Sequence, residues 1–241
     1  MSRSTLDYSV SSDLEENTFV EITDCNQVAD KHKIHKQSSV YRVIKRTFDI
    51  LFSLMLLILL LPILLMISFV IAIFDRNGAV IYSHDRIGLH GVLFKMYKFR
   101  SMREGVNLED VVSEEELENY YKEYKLQNDP RVTRIGGFLR KTSLDELPQL
   151  INILKGDMSF IGPRPVTYEE TLFYGENRDE LLSVKPGLTG YWQAYARNSV
   201  SYSNGKRQEM ELYYVRNQSL RLDIKIFFKT IETVLLRKNA F

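Results

Sequence analysis

The chain has 241 residues, and 32 Lys and Arg face 31 Asp and Glu, for a formal net charge of +1. That length supplies one good domain, and so even a balance makes no general electrostatic case for nucleic acid as a partner. Cys25 is the single cysteine, which excludes an intrachain disulfide and a thiolate metal cluster and fits a reducing compartment.

The charges are unevenly placed. Residues 1–30 carry one basic side chain, Arg3, against Asp7, Asp13, Glu15, Glu16, Glu21, Asp24 and Asp30. With little apolar content, this acidic stretch is expected to be disordered. From Lys31 to Arg46 the sign reverses through Lys31, Lys33, Lys36, Arg42, Lys45 and Arg46. Residues 1–40 thus read as a tail, acidic and then basic.

Residues 41–76 read as a membrane segment. No charged side chain occurs from Ile50 to Phe74, and a helix of that length is about 37 Å long, enough for the hydrocarbon core. It is too long, and begins too far into the chain, for a signal peptide. Pro62 sits mid-run, where it removes a helix hydrogen bond and clashes with the preceding turn, so a bend is expected. Basic residues precede the segment, and Arg76, Arg86, Lys95, Lys98, Arg100 and Arg103 follow it. Both flanks therefore read as cytoplasmic. This implies a helix that enters, breaks at Pro62 and returns, against the alternative of a kinked full span.

Residues 77–241 are expected to fold as one further domain, giving an α+β, mainly helical chain with a small β element. Asp75 to Gly78 is a turn signal before a short β-like run, Ala79 to Tyr82. A second turn over Asp85 to Gly91 leads to Leu93–Arg100, whose alternation reads as a strand. Lys98 and Arg100 share the face of Phe94 and Met96; a solvated edge is their plain reading. A helix capped at Ser113 covers the Glu- and Tyr-rich stretch to about Gln127.

The densest chemistry lies in Thr142–Pro165, TSLDELPQLINILKGDMSFIGPRP. Asp145 and Glu146 stand at an expected helix start. Capping is one reading: Ser143 with Glu146 fits a capping box, and an Asp145 N-cap fits better because Pro148 then falls in the first turn. Catalysis is the other. Arg140 and Lys141 precede the carboxylates, and Arg164 is held between two prolines that fix the local backbone.

After Pro165, Tyr168–Tyr174 reads as helical and Lys185–Gly190 as a loop. Trp192 suits either stacking on a base or sugar or a place in the core. Near the end, Ile224, Phe227, Phe228, Ile231, Val234 and Leu235 repeat at helical spacing. That helix reads mostly as core packing, with a place in the headgroup layer as the alternative.

The run Asn128–Pro165, with its LDELPQL and GPRP elements, resembles the catalytic core of the bacterial sugar transferases that load polyprenol phosphate, the monotopic phosphoglycosyl transferases. The similarity extends from Lys45 to the C-terminus. It implies a re-entrant membrane helix with interfacial helices on a compact cytoplasmic domain, working at the cytoplasmic face of the bacterial inner membrane. Where that family places Ser-Pro at the bend, this chain has Leu61-Pro62. Its K-F-R-S-M motif matches Lys98–Met102 and implies phosphate contact by Lys98 and Arg100. Its Gly-Arg-Asn becomes Ala196-Arg197-Asn198, with Arg197 and Trp192 the candidates for nucleotide or sugar.

The resemblance implies transfer of a sugar 1-phosphate from a UDP-sugar to undecaprenyl phosphate with release of UMP, a first membrane step in exopolysaccharide, capsule, O-antigen or glycoprotein glycan synthesis. The residues suit that chemistry. Mg2+ binds one or two carboxylates plus phosphate oxygens, which gives Glu146 the metal and leaves Asp145 as nucleophile. Arg164, Arg140, Lys98 and Arg100 are the expected phosphate contacts. The competing readings are a non-catalytic membrane-anchored scaffold and a one-step metal-dependent transferase. The look of the region after Pro165 leans to a hexose such as galactose or glucose, and the oligomeric state, a homodimer included, stays open.

Overall fold

The computed structural model describes residues 38–75, 78–124, 126, 128–196 and 202–235. The acidic tail, Cys25, the basic residues Lys31, Lys33 and Lys36, and Arg197 lie outside the described residues. Residues 37–241 belong to one compact unit. Among the described residues the chain is mainly helical, with two small sheets.

Helix α1 runs from Ser39 to Phe74 and contains Pro62. Its Leu-, Ile- and Met-rich sequence favours helix wherever the surroundings are apolar. It is the one helix among the described residues long and apolar enough to cross a membrane. The expected break at Pro62 is not a break in secondary structure, because helical conformation continues through that residue. Exposed apolar side chains fill most of its middle, among them Leu59, Leu61 and Met66.

Both ends of α1 are fastened to the rest of the unit. Near its start, Tyr41 and Lys45 each donate to Asp223 at 2.9 Å. Arg46 donates to the carbonyls of Ile153 and Leu154 at 2.6 and 2.9 Å, at a helix end, where the backbone dipoles favour a cation. Asp49 is buried and accepts from Ser159 Oγ at 3.1 Å and the Phe160 amide at 2.8 Å. Phe48 and Phe52 pack on Phe160 and Phe227. Near its end, Ile67 and Ile71 pack with Phe99 and Leu139, and Arg100 binds the Asp75 carbonyl.

Strands β1 (Ile81–Ile87) and β2 (Leu93–Phe99) form an antiparallel hairpin, with Ile81 opposite Phe99 and Ile87 opposite Leu93. The turn falls later than the sequence suggests. Asp85, Arg86 and Ile87 stay in the strand, because Arg86 is drawn to Glu170 at 2.5 Å and Ile87 bridges to Val166. Helix α2 (Glu114–Glu123) is exposed and opens on a capping box of Ser113 and Glu116. Helix α3 (Arg134–Thr142) is capped by Thr133 and carries Gly136 against the backbone of Ser101.

Helix α4 (Gln149–Lys155) is followed by β3 (Ser159–Ile161), α5 (Tyr168–Leu172) and α6 (Arg178–Leu181). The stretch expected to be a loop at Lys185–Gly190 contains β4 (Gly187–Thr189), parallel to β3. Gly162 and Gly187 approach so closely that a Cβ on either would collide with the backbone of the other. Helices α7 (Tyr191–Ala196), α8 (Lys206–Arg216) and α9 (Leu220–Leu235) complete the fold. The main cluster joins Phe94, Met96, Leu150, Ile153, Phe160 and Ile226. On α9 the expected core packing holds for Phe227, beside Leu222 and Ile226, whereas Leu220, Ile224, Phe228 and Ile231 form an exposed stripe at helical spacing, beside Arg221 and Lys225.

Candidate active site

The two carboxylates stand between helices rather than capping one. Ser143 adopts a left-handed conformation and ends α3, a one-turn 3₁₀ helix spans Leu144–Glu146, and α4 starts after Pro148, its N-cap. Ser143 makes no side-chain cap bond, so the capping box with Glu146 is not formed, and α4 begins at Gln149 rather than at Glu146, where an Asp145 N-cap would start it. Proline explains the shift, since its fixed φ suits the first position of a helix and its ring disrupts a later one.

Asn152 sets the position of this segment against β2. It is fully buried on α4; its Oδ1 accepts from the Tyr97 amide at 3.0 Å, and its Nδ2 donates to the Lys95 carbonyl at 2.7 Å and Asp157 at 3.1 Å. One carboxamide thus bolts helix to strand. Lys98, one residue beyond the bolted pair, meets Glu146 with Nζ to Oε1 at 2.9 Å.

The third component arrives on the loop after β3. The close packing of Gly162 and Gly187, with the Gly187 amide bonded to the Pro163 carbonyl at 2.8 Å, turns the chain so that Arg164 joins Lys98 and Glu146. These three residues, with Met96, Gln149, Pro165, Gly187, Leu188 and Gln193, line an open cleft of about 230 Å³. Burial alone would lower the pKa of Arg164, but the carboxylates of Glu146, Glu170 and Glu211 hold it above its ordinary value. It stays a cation.

The other candidates are placed differently. Asp145 adjoins Glu146 on the 3₁₀ turn and is 7% exposed, without lining the cleft. Arg100 is buried and engaged with Asp75 at the end of α1. Arg140 is exposed on the last turn of α3, where its charge acts on Asp129. Trp192 is buried, with the Arg207 guanidinium 4.1 Å from its ring, which leaves that face unavailable for stacking on a ligand.

Sequence reasoning passed over Gln149, Asn152, Gln193, Arg207 and Glu211. Arg207 and Glu211 are spaced i,i+4, a pattern that usually marks a solvated helix face, and here both are buried. Glu211 accepts from the Arg164 amide at 3.2 and 3.3 Å. Gln193 Oε1 is buried and makes no hydrogen bond among the described residues.

Among the described residues no group of three or more His, Cys, Asp or Glu is arranged to hold a metal, so there is no preformed cage. Glu146, the carboxylate that lines the cleft, is of the ligand type that magnesium takes together with phosphate oxygens and water.

Two cations, Lys98 and Arg164, and the Glu146 carboxylate thus line one cleft in the same unit as a long apolar helix. The chain belongs to the bacterial sugar transferase family, whose model matches residues 40–237. It is 45% identical over 217 residues to the undecaprenyl-phosphate galactose phosphotransferase of Salmonella typhimurium, covering 88% of this chain and 44% of that one. It is 44% identical over 205 residues to the exopolysaccharide production protein ExoY of Sinorhizobium fredii, covering 83% and 88%. It is 37% identical over 214 residues to the UDP-glucose:undecaprenyl-phosphate glucose-1-phosphate transferase of Escherichia coli, covering 85% and 43%. The chain therefore spans less than half the length of the Salmonella and Escherichia relatives and most of the Sinorhizobium one.

Proposed function

We propose that this protein transfers a sugar 1-phosphate from a UDP-sugar to undecaprenyl phosphate at the cytoplasmic face of a bacterial inner membrane. The observation that carries this reading is the convergence of Lys98, Glu146 and Arg164 on one cleft, beside Asp145. The names of the relatives supply the substrate class: undecaprenyl phosphate and a hexose such as galactose or glucose.

The reaction runs as two displacements at one phosphorus. An Asp145 oxygen attacks the β-phosphorus of the donor; the bond to the bridging oxygen breaks and UMP leaves. The sugar phosphate is then held as an acyl phosphate on Asp145. An oxygen of undecaprenyl phosphate attacks the same phosphorus, the Asp145–phosphorus bond breaks, and the lipid diphosphate sugar departs with the carboxylate restored. Arg164 binds the phosphate oxygens through a fork that stays charged at every working pH, and Lys98 adds a point charge opposite. Glu146 is the residue that would hold magnesium, which when bound masks the phosphate charge.

The lipid acceptor requires the cleft to sit at the bilayer. Side chains near both ends of α1 pack on the same folded unit, which supports a helix that enters and leaves by one face. The exposed stripe of Ile224, Phe228 and Ile231 on α9, with Arg221 and Lys225 beside it, matches a helix lying in the headgroup layer.

Purified protein in nanodiscs with a UDP-sugar panel, magnesium and undecaprenyl phosphate is expected to release UMP. Asp145→Asn is expected to lower that release by at least about a thousandfold with the fold intact, the scale seen when a covalent nucleophile is removed. Mass spectrometry of donor-only reactions should find a phosphosugar on Asp145. Near-normal turnover by the Asn variant sinks the nucleophile assignment, and release of UMP only with both substrates present supports a one-step transfer instead.

A further inference from the structure

Behind Arg164 lies a buried network that the two-displacement chemistry leaves unused. Glu211 on α8 has no exposed surface, and both its oxygens face the Arg164 amide. Arg207 lies one turn earlier on the same helix, its guanidinium clamped between the rings of Trp192 at 4.1 Å and Tyr202 at 3.8 Å. On α5, Glu170 binds Arg86 at 2.5 Å and accepts from the Tyr202 hydroxyl at 3.3 Å. The charged and titratable groups acting around Glu211 are therefore Arg164 from the loop, Arg207 from its own helix, Glu170 from α5, and the hydroxyls of Tyr174 and Tyr202.

Burying a carboxylate is costly, and an apolar residue of the same shape often serves stability as well. Pro163 and Pro165 restrict the backbone on either side of Arg164, and the Glu211 bond fixes the orientation of the remaining amide. We propose that Glu211 is the positioning residue of the Arg164 phosphate clamp, and that binding of the anionic donor at Arg164 draws a proton from the medium onto Glu211. This rests on the reading that Arg164 receives the donor phosphates.

The physical reason is charge balance. An ionised Glu211 offsets part of the arginine charge that the donor phosphates need, so donor and carboxylate compete for the same cations. Protonation removes the competitor while its carbonyl oxygen still accepts from the Arg164 amide. Burial raises the Glu211 pKa to about 7, with Arg207, the Arg164 amide and the Arg164 side chain opposing the rise. The competition therefore acts near neutral pH. The diphosphate of a UDP-sugar stays fully ionised across this range and adds no proton of its own.

The test is calorimetric binding of UDP-hexoses and UDP-N-acetylhexosamines, magnesium held constant, to the full chain in nanodiscs. An Asp145→Asn background prevents turnover. Titrations from pH 6 to 8.5, in buffers of different ionisation heat, count the protons taken up. Uptake is expected to approach one proton per donor above pH 7, with affinity falling by up to about tenfold per pH unit there. Glu211→Gln keeps an acceptor for the Arg164 amide and loses the charge. It is expected to bind without uptake and, at pH 8.5, as tightly as the Glu211 protein at pH 6. A merely structural Glu211 gives weaker binding at every pH in the Gln variant. Absence of proton uptake in the protein that retains Glu211 overturns the inference whether or not the variant folds. Failure of every UDP-sugar to bind at any pH overturns the proposed function together with this inference; binding without uptake overturns this inference alone.

Discussion

A carboxamide with no solvent contact must find partners for each of its polar atoms, and Asn152 finds them in Tyr97, Lys95 and Asp157. Its Oδ1 and Nδ2 reproduce on the edge of β2 the bonds that a neighbouring strand would make. The consequence reaches the cleft, because the same edge carries Lys98 and the same helix follows Glu146. Asn152→Ala leaves a buried amide and carbonyl unpaired, at about 1–3 kcal/mol each. Chemical unfolding of the purified variant should show a loss on that scale, and UMP release should fall by about tenfold or more as Lys98 and Glu146 lose register. Unchanged stability would show that Asn152 bears no such role. Little of this was legible beforehand. Asp145, Glu146 and Arg164 stand out as charged residues in a short, proline-marked run, whereas Asn152 and Glu211 look like ordinary polar positions on helices. Their burial depends on strands and helices that arrive from tens of residues away.

At the scale of elements, local rules sufficed where a segment answers only to itself. The α2 capping box and the β2 alternation follow from adjacent residues, and both are present. Local rules failed where another element decides. The glycines of Lys185–Gly190 read as loop residues, yet they serve a parallel strand whose partner lies at Ser159–Ile161. Gly136 and Gly137 likewise sit inside α3, and Gly136 does so because Ser101 leaves no room for a side chain. The β3–β4 pair is the support of the Arg164 loop. Gly187→Ala introduces a methyl group into the Gly162 backbone, so the strands must part. The expected cost is about 2–4 kcal/mol, as for other severe steric insertions, with UMP release lost more steeply than helical content. Full activity in the Ala variant would mean that Arg164 tolerates a displaced loop.

For the molecule as a whole, the long apolar helix α1 is part of the core rather than an appendage. Phe52, Leu56 and Leu57 pack on the main cluster, while Ile67 and Ile71 complete another with Phe99 and Leu139. Hydropathy announced the segment, but the side chains by which it grips the domain were hidden among dozens of similar ones. Removing residues 38–75 should therefore not yield a soluble catalytic domain. The expected product is an aggregated or molten chain, judged by size-exclusion chromatography and near-ultraviolet dichroism; a monodisperse, cooperatively folding fragment would contradict this account. The same arrangement bears on synthesis. Asp49 and Tyr41 leave the ribosome long before their partners, since Ser159 follows Asp49 by 110 positions and Asp223 follows Tyr41 by 182. At translation speeds of about 5–20 residues per second, a nascent chain carries these unpaired groups for seconds to tens of seconds. The contacts that hold the start of α1 thus close only after the last of these partners has been made.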